Sequence, residues 1–215
     1  MPSAGSWMRH VIVENRTAMS SLRPCVFLDR DGTLNEDVGY LDRLERLTLF
    51  PASIDAVRLL NRAGYLVAVV TNQAGVAYGL YGEDFVRDLH RHIGERFAAG
   101  GARIDGFFYC PHLPTAPVAA YRRDCDCRKP RTGLVRQAER ELGVDLGRSF
   151  VVGDRWRDIE MGRAVGARTV LVRTGYGRTE EAHPVEGPSA DAVVDQLMQA
   201  VVWILTQAEG GRRKA

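Results

Sequence analysis

The chain has 215 residues, 45% of them apolar and 26% charged, with a formal charge of +2. That length suits one large domain able to bury about 70% of its unfolded surface, and the balance excludes global disorder, a fibrous protein and a coiled coil. The near-neutral charge leaves no footprint for nucleic acid. No apolar run approaches the ~18 residues of a membrane span, and no basic-then-apolar leader is present, so the cytoplasm is the expected compartment.

Residues 1–22 show no period and read as an N-terminal extension, 23–207 as a single domain and 208–215 as a flexible tail. Between the ends, β-branched or aromatic runs predict strands at Cys25–Leu28, Leu66–Val70, Gly106–Tyr109, Phe150–Val152 and Thr169–Val172. Helices are predicted at Ser53–Ala63, Glu83–Ala98, Thr132–Leu142, Trp156–Val165 and Asp195–Thr206. In the first, Ile54, Val57, Leu59 and Leu60 mark one apolar face, Ser53 is placed to cap the start and Gly64 to close the end. The alternation implies an α/β fold, a Rossmann-like parallel sheet with helices on both faces. Ligands of such sheets bind beyond the carboxyl ends of the strands.

Four polar clusters fall there. Asp29-Arg30-Asp31-Gly32 leaves the first strand. Two carboxylates this close need a cation or a shared proton; one can hold Mg²⁺ and attack phosphorus while the other carries a proton. Alone, the pattern also suits a solvated Asp-Gly turn. Thr71-Asn72-Gln73 leaves the second strand, where a hydroxyl and backbone N–H groups can hold a phosphoryl oxygen; it also suits an ordinary strand exit. Pro130 biases Lys129 toward an extended backbone, which can aim the ammonium at a phosphate or at the carboxylates. Alone, Lys-Pro is an ordinary loop. Asp154 leaves the fourth strand with Asp158 one helical turn on; such acids also favour a helix N-terminus. Together the four supply a nucleophile, a proton carrier, a phosphate cradle, a counter-cation and an oxygen-only site suited to Mg²⁺. This is equipment for phosphoryl transfer to an aspartate and then to water.

Cys110, His112, Cys125 and Cys127, with 12 residues between the two pairs, form a Cys₃His set suited to structural Zn²⁺. The competing reading is a redox pair at Cys125 and Cys127. Because Cys127 precedes Arg128 and Lys129, a metal there would fix the approach of both cations. Cys25 reads as a buried thiol, and His10, His90, His92 and His183 as surface or loop residues. No apolar stripe announces a dimer, so a monomer is expected.

The runs FLDRDGTLN, VVTNQAG, CRKP, VVGD and VLVRTG resemble the haloacid dehalogenase superfamily and, within it, the D-glycero-D-manno-heptose 1,7-bisphosphate phosphatase family, over residues 24–178. The resemblance implies that Asp29 is the nucleophile and forms an aspartyl-phosphate, and that Asp31 is the general acid and then the base. It implies that Thr71 and Lys129 stabilise the transferring group. Asp29, the Asp31 carbonyl and Asp154 would hold Mg²⁺, with the Arg155 backbone and Asp158 in support. It supports zinc on the four Cys and His positions. Asp37, Val38, Gly39, Tyr40, Asn72, Gln73, Ala74, Arg128 and Arg155 fall where the family contacts its substrate. Ala74, Tyr78 and Arg155 depart from residues common in that family (Ser, Arg and Lys) and bear on substrate choice. A histidinol-phosphate phosphatase is a close alternative, though its zinc loop is shorter; a non-catalytic zinc module is an alternative of another class. The segments 34–51 and 72–128 leave little room for a cap domain, so an open site is expected, with Arg128, Arg155 and Tyr40 as its selectivity residues.

Overall fold

The structure, a computed structural model, describes residues 22–184 and 189–212. The expected N-terminal extension lies outside these residues except for Leu22, as do the last three residues of the tail. Six strands form one parallel sheet: β1 (Cys25–Leu28), β2 (Leu66–Asn72), β3 (Gly106–Cys110), β4 (Phe150–Gly153), β5 (Arg168–Val172) and β6 (Ala192–Val194), in the order β3-β2-β1-β4-β5-β6. The helices are α1 (Ser53–Arg62), α2 (Ala74–Ala77), α3 (Glu83–Ala99), α4 (Gly133–Leu142), α5 (Trp156–Ala164), α6 (Gly177–Ala182) and α7 (Leu197–Arg212). The five predicted strands and five predicted helices are all present. Three short elements, α2, α6 and β6, were not expected, and α7 runs into the segment read as a tail.

The strand period of two divides the core. Val26 and Leu28 of β1 face α1, α3 and α7, where Val57, Leu60, Leu89, Ile93, Phe97, Val201 and Ile204 are buried. Cys25 and Phe27 face the other way, toward Leu134, Val135 and Ala138 of α4 and Met161 of α5. Burying each such side chain is worth about 1.5–3 kcal/mol, so β1, covered on both faces, is held firmly. Cys25 is the buried thiol the sequence suggests.

Two local expectations need correction. Ser53 does not cap α1: Ala52 is the N-cap, at φ 63°, and the Ser53 hydroxyl donates to the Leu34 carbonyl at 3.0 Å. That bond ties α1 to the segment after β1, where Asn35 bridges both Asp31 and Leu49. His90 is not a surface residue. It is 5% exposed on the inner face of α3, with its ring stacked 4.8 Å from that of Phe107. Gly64 does close α1, at φ +88°.

The sheet brings three strand ends together. Leu28 pairs with Val69 on one side and Val152 on the other, so Asp29, Thr71 and Asp154 emerge side by side at the carboxyl edge. Among the described residues no cap domain covers that edge, and no helix is long and apolar enough to cross a membrane.

Candidate functional site

The carboxyl edge carries a cavity of about 300 Å³. Asp29, Asp31, Thr71, Asn72, Gln73, Ala74, Asp37, Gly39, Tyr40, Arg128 and Arg155 all line it. Val38 does not: its side chain packs against the core and its carbonyl accepts from Arg46 at 3.1 Å. It holds the shape of the loop that carries Tyr40.

Asp29 is 5% exposed. One of its oxygens lies 2.8 Å from Lys129 Nζ and accepts the Arg30 N–H at 2.8 Å. Burial pushes this carboxyl up to about 6; Lys129 pulls against that and Asp158 adds to it. Lys129 Nζ also lies 2.6 Å from Asp158 and donates to the Val70 carbonyl at 2.9 Å. Asn72 clamps the lysine's backbone from both sides, accepting its N–H at 3.0 Å and donating to its carbonyl at 3.2 Å. Asn72 therefore positions Lys129 as well as lining the cavity.

Asp31 sits in a separate web. Arg30 grips both its oxygens at 2.8 and 3.1 Å, Asn35 donates at 2.9 Å and Gln73 at 3.1 Å. Burial pushes Asp31 up, but Arg30, with Asn35 and Gln73, outweighs it and holds the carboxyl below its usual range. Gln73 also donates to Thr71 Oγ1 at 2.8 Å and accepts from Arg30 and Tyr81 at 3.0 and 3.1 Å. It orders the site from inside.

Asp29, Asp154 and Asp158 have carboxylate oxygens within 4.8 Å of one another. Asp154 accepts the Tyr176 N–H at 2.8 Å through one oxygen, while the other is buried with no partner. Burial, then Asp29 and Asp158, pushes Asp154 up to about 8. An unpartnered buried carboxylate oxygen among like charges fits a hard divalent cation. Gly32 makes the approach possible: at φ +83°, a Cβ on it would strike the Asp154 carboxylate.

Cys110, His112, Cys125 and Cys127 form the other cluster, also within 4.8 Å. Sulfur separations are 3.1, 3.3 and 3.5 Å, and His112 Nδ1 lies 3.2 Å from Cys127. These are slightly inside the roughly 3.5–3.8 Å edge of a tetrahedron with bonds of about 2.0–2.3 Å. From this cluster Arg128 reaches back to donate to the His112 carbonyl at 3.1 Å. Arg155 lies over the Tyr176 ring at 3.3 Å and pairs with Glu180 at 3.5 Å.

Three cavity residues escaped the sequence reading: Tyr81, Arg157 and Tyr176. Tyr81 and Tyr176 stand beside polar residues that nothing in the sequence places at the cavity, since a lone tyrosine in a loop carries no signal of its own. Arg157 stands between the two acids of the fourth motif, and that position was its only signal.

Comparison with known proteins gives one consistent result. Residues 126–200 match the HAD-hydrolase-like family model. The D-glycero-D-manno-heptose-1,7-bisphosphate 7-phosphatase of Thermosynechococcus vestitus is 42% identical, over 86% of this chain and 96% of that one. The D-glycero-beta-D-manno-heptose-1,7-bisphosphate 7-phosphatase of Pasteurella multocida is 39% identical, over 81% and 95%. The D,D-heptose 1,7-bisphosphate phosphatase of B. bronchiseptica, solved with magnesium and phosphate, superposes with a TM-score of 0.76 at 31% identity, over 86% and 99%. Its counterpart from Burkholderia thailandensis gives 0.58 at 30% identity, over 85% and 99%.

Proposed function

The chain belongs to the D-glycero-D-manno-heptose 1,7-bisphosphate 7-phosphatase family of HAD-like hydrolases, and we propose that it removes the 7-phosphate of that heptose bisphosphate. The observation that carries the reading is that Asp29, which lines one small cavity with Asp31, is buried against Lys129 and Asp154 just behind that cavity. The volume suits a phosphate and part of a sugar.

The Asp29 oxygen attacks phosphorus and displaces the sugar oxygen, and Asp31 gives that oxygen its proton. The product is an aspartyl-phosphate and a free sugar hydroxyl. Asp31, now ionised, takes a proton from a water that attacks phosphorus and releases phosphate from Asp29. Arg30 favours the ionised form of Asp31 that the second step needs. An incoming phosphate dianion opposes Arg30 and restores the proton the first step needs. Thr71 and Lys129 face the charge that develops on the phosphoryl oxygens. The clustered Asp29 and Asp154, with Asp158 in support, would hold Mg²⁺, and the family resemblance adds the Asp31 carbonyl and the Arg155 backbone. Bound there, Mg²⁺ supplies charge neutralisation for the carboxylates and the phosphoryl group. Cys110, His112, Cys125 and Cys127 would hold a structural Zn²⁺, which would set the path of Arg128 and Lys129.

Phosphate release in Mg²⁺ from both anomers of the heptose bisphosphate and from histidinol phosphate, with Asp29→Asn as blank, tests the assignment. A preference for heptose of about a hundredfold in kcat/KM is expected, or roughly 2.7 kcal/mol of transition-state binding. A preference for histidinol phosphate would keep the mechanism and remove the substrate.

A further inference from the structure

Three arginines line the cavity, and two are already engaged: Arg128 with the His112 carbonyl, Arg155 with Glu180 and Tyr176. The side chain of Arg157 makes no hydrogen bond or ion pair to any described residue, and its Nε is buried without a partner. The residue is half-buried, so its unpaired terminal donors are open to the cavity, where an anion can take both at once. Its strongest electrostatic neighbours are Asp158, Asp29 and Asp154, in that order. It lines the same cavity as Asp29 and stands next to Asp158, whose carboxylate clusters with that of Asp29, which puts it at the nucleophile's end.

Lys129 sharpens the point. An ammonium has three N–H donors, and Asp29, Asp158 and the Val70 carbonyl already surround this one at 2.6–2.9 Å. A phosphoryl group on Asp29 brings three oxygens into a pocket whose lysine is encircled. It also brings negative charge among three carboxylates. Of the three arginines lining the cavity, Arg157 alone has its donors unengaged by described residues.

We propose that Arg157 grips the phosphoryl group seated on Asp29, and the inorganic phosphate formed there, rather than a phosphate at the far end of the substrate. The proposal rests on the reading of Asp29 as nucleophile and assigns the third cation of the reacting end.

Calorimetric titration of inorganic phosphate into the Mg²⁺-loaded protein tests it. Arg157→Gln should weaken phosphate binding by about tenfold or more, and Arg157→Lys, which keeps the charge but not the fork, should recover part of the loss. The kcat/KM for p-nitrophenyl phosphate should fall by the same factor as that for the heptose bisphosphate. Unchanged phosphate affinity would overturn the assignment, as would a loss confined to the bisphosphate. Should a variant misfold, phenylglyoxal labelling of the wild-type protein decides: phosphate must protect Arg157 from modification. Neither the phosphate titration nor the aryl ester contains a sugar, so failure of the substrate assignment leaves their outcome readable.

Discussion

Arg30 carries a full charge with 1% of its surface exposed. It is tolerated because its donors are matched by both oxygens of Asp31, by Gln73 Oε1 and by His90 Nε2 at 3.3 Å. His90 must stay neutral to accept that bond. Burial first, and then the Arg30 charge, pull it down to about 3, against about 6.5 in an unfolded chain. Between those values the unfolded chain binds the extra proton. Stability from this group is therefore complete above pH 6.5 and is lost as pH falls toward 3, by about 2–3 kcal/mol at pH 4.5. Urea unfolding at pH 7 and pH 4.5 should show that loss in the wild type and less of it in His90→Gln, whose amide oxygen can still accept from Arg30. Equal losses in the two proteins would refute the argument. Asn72→Ala removes both bonds that hold the Lys129 backbone; a loss of about 1–3 kcal/mol in stability is expected, with kcat falling more than KM changes. The inward place of His90 was readable, because it shares helical spacing with Val86, Ile93 and Phe97. The role of Arg157 was not, because an arginine in the first turn of a helix looks the same in solvent.

In the proposed mechanism the strand tips and their following turns do the chemical work. Gly32→Ala would force a side chain onto the Asp154 carboxylate at a positive φ. It should cost about 1–3 kcal/mol and raise the Mg²⁺ concentration needed for half-maximal phosphate release. An unaltered Mg²⁺ requirement would mean that the turn yields without moving Asp154. The loop after β3 is different, since four Cys and His side chains converge within it. Cys125→Ser should release zinc, lower the thermal midpoint and cut kcat/KM by about tenfold or more, through Arg128 and Lys129. A folded, zinc-free protein with full activity would sink that link. Strongly patterned elements such as β1, β2 and α3 were visible in the sequence because their apolar runs bury on both faces or along one stripe. β6 was missed because Ala192–Val194 is short and only half-buried. α2 was missed because four residues carry no period.

At the level of the domain, charge balance couples metal, pH and stability. Asp29 and Asp154 are raised to about 6 and about 8 by burial first, with Asp158 adding to both and Asp29 to Asp154, so folding without a cation becomes less favourable as pH rises from about 4, the unfolded value, to about 8. A divalent cation reverses the effect by binding the ionised pair. The rise in melting temperature caused by Mg²⁺ should therefore be larger at pH 8.5 than at pH 6; the opposite order would show that the acids are not the cation's ligands. Strand–helix alternation made the parallel sheet legible, but not its order, because nothing local states that β4 returns to the far side of β1. That return has a consequence for biosynthesis. β1 gains β2 soon after it is made, yet its other edge stays unpaired until roughly 120 further residues have been synthesised. At about 5–20 residues per second, this is on the order of 6–25 s. For that time a strand made wholly of apolar residues presents an open edge on the ribosome. Nascent-chain aggregation and chaperone capture should therefore concentrate there rather than at either terminus.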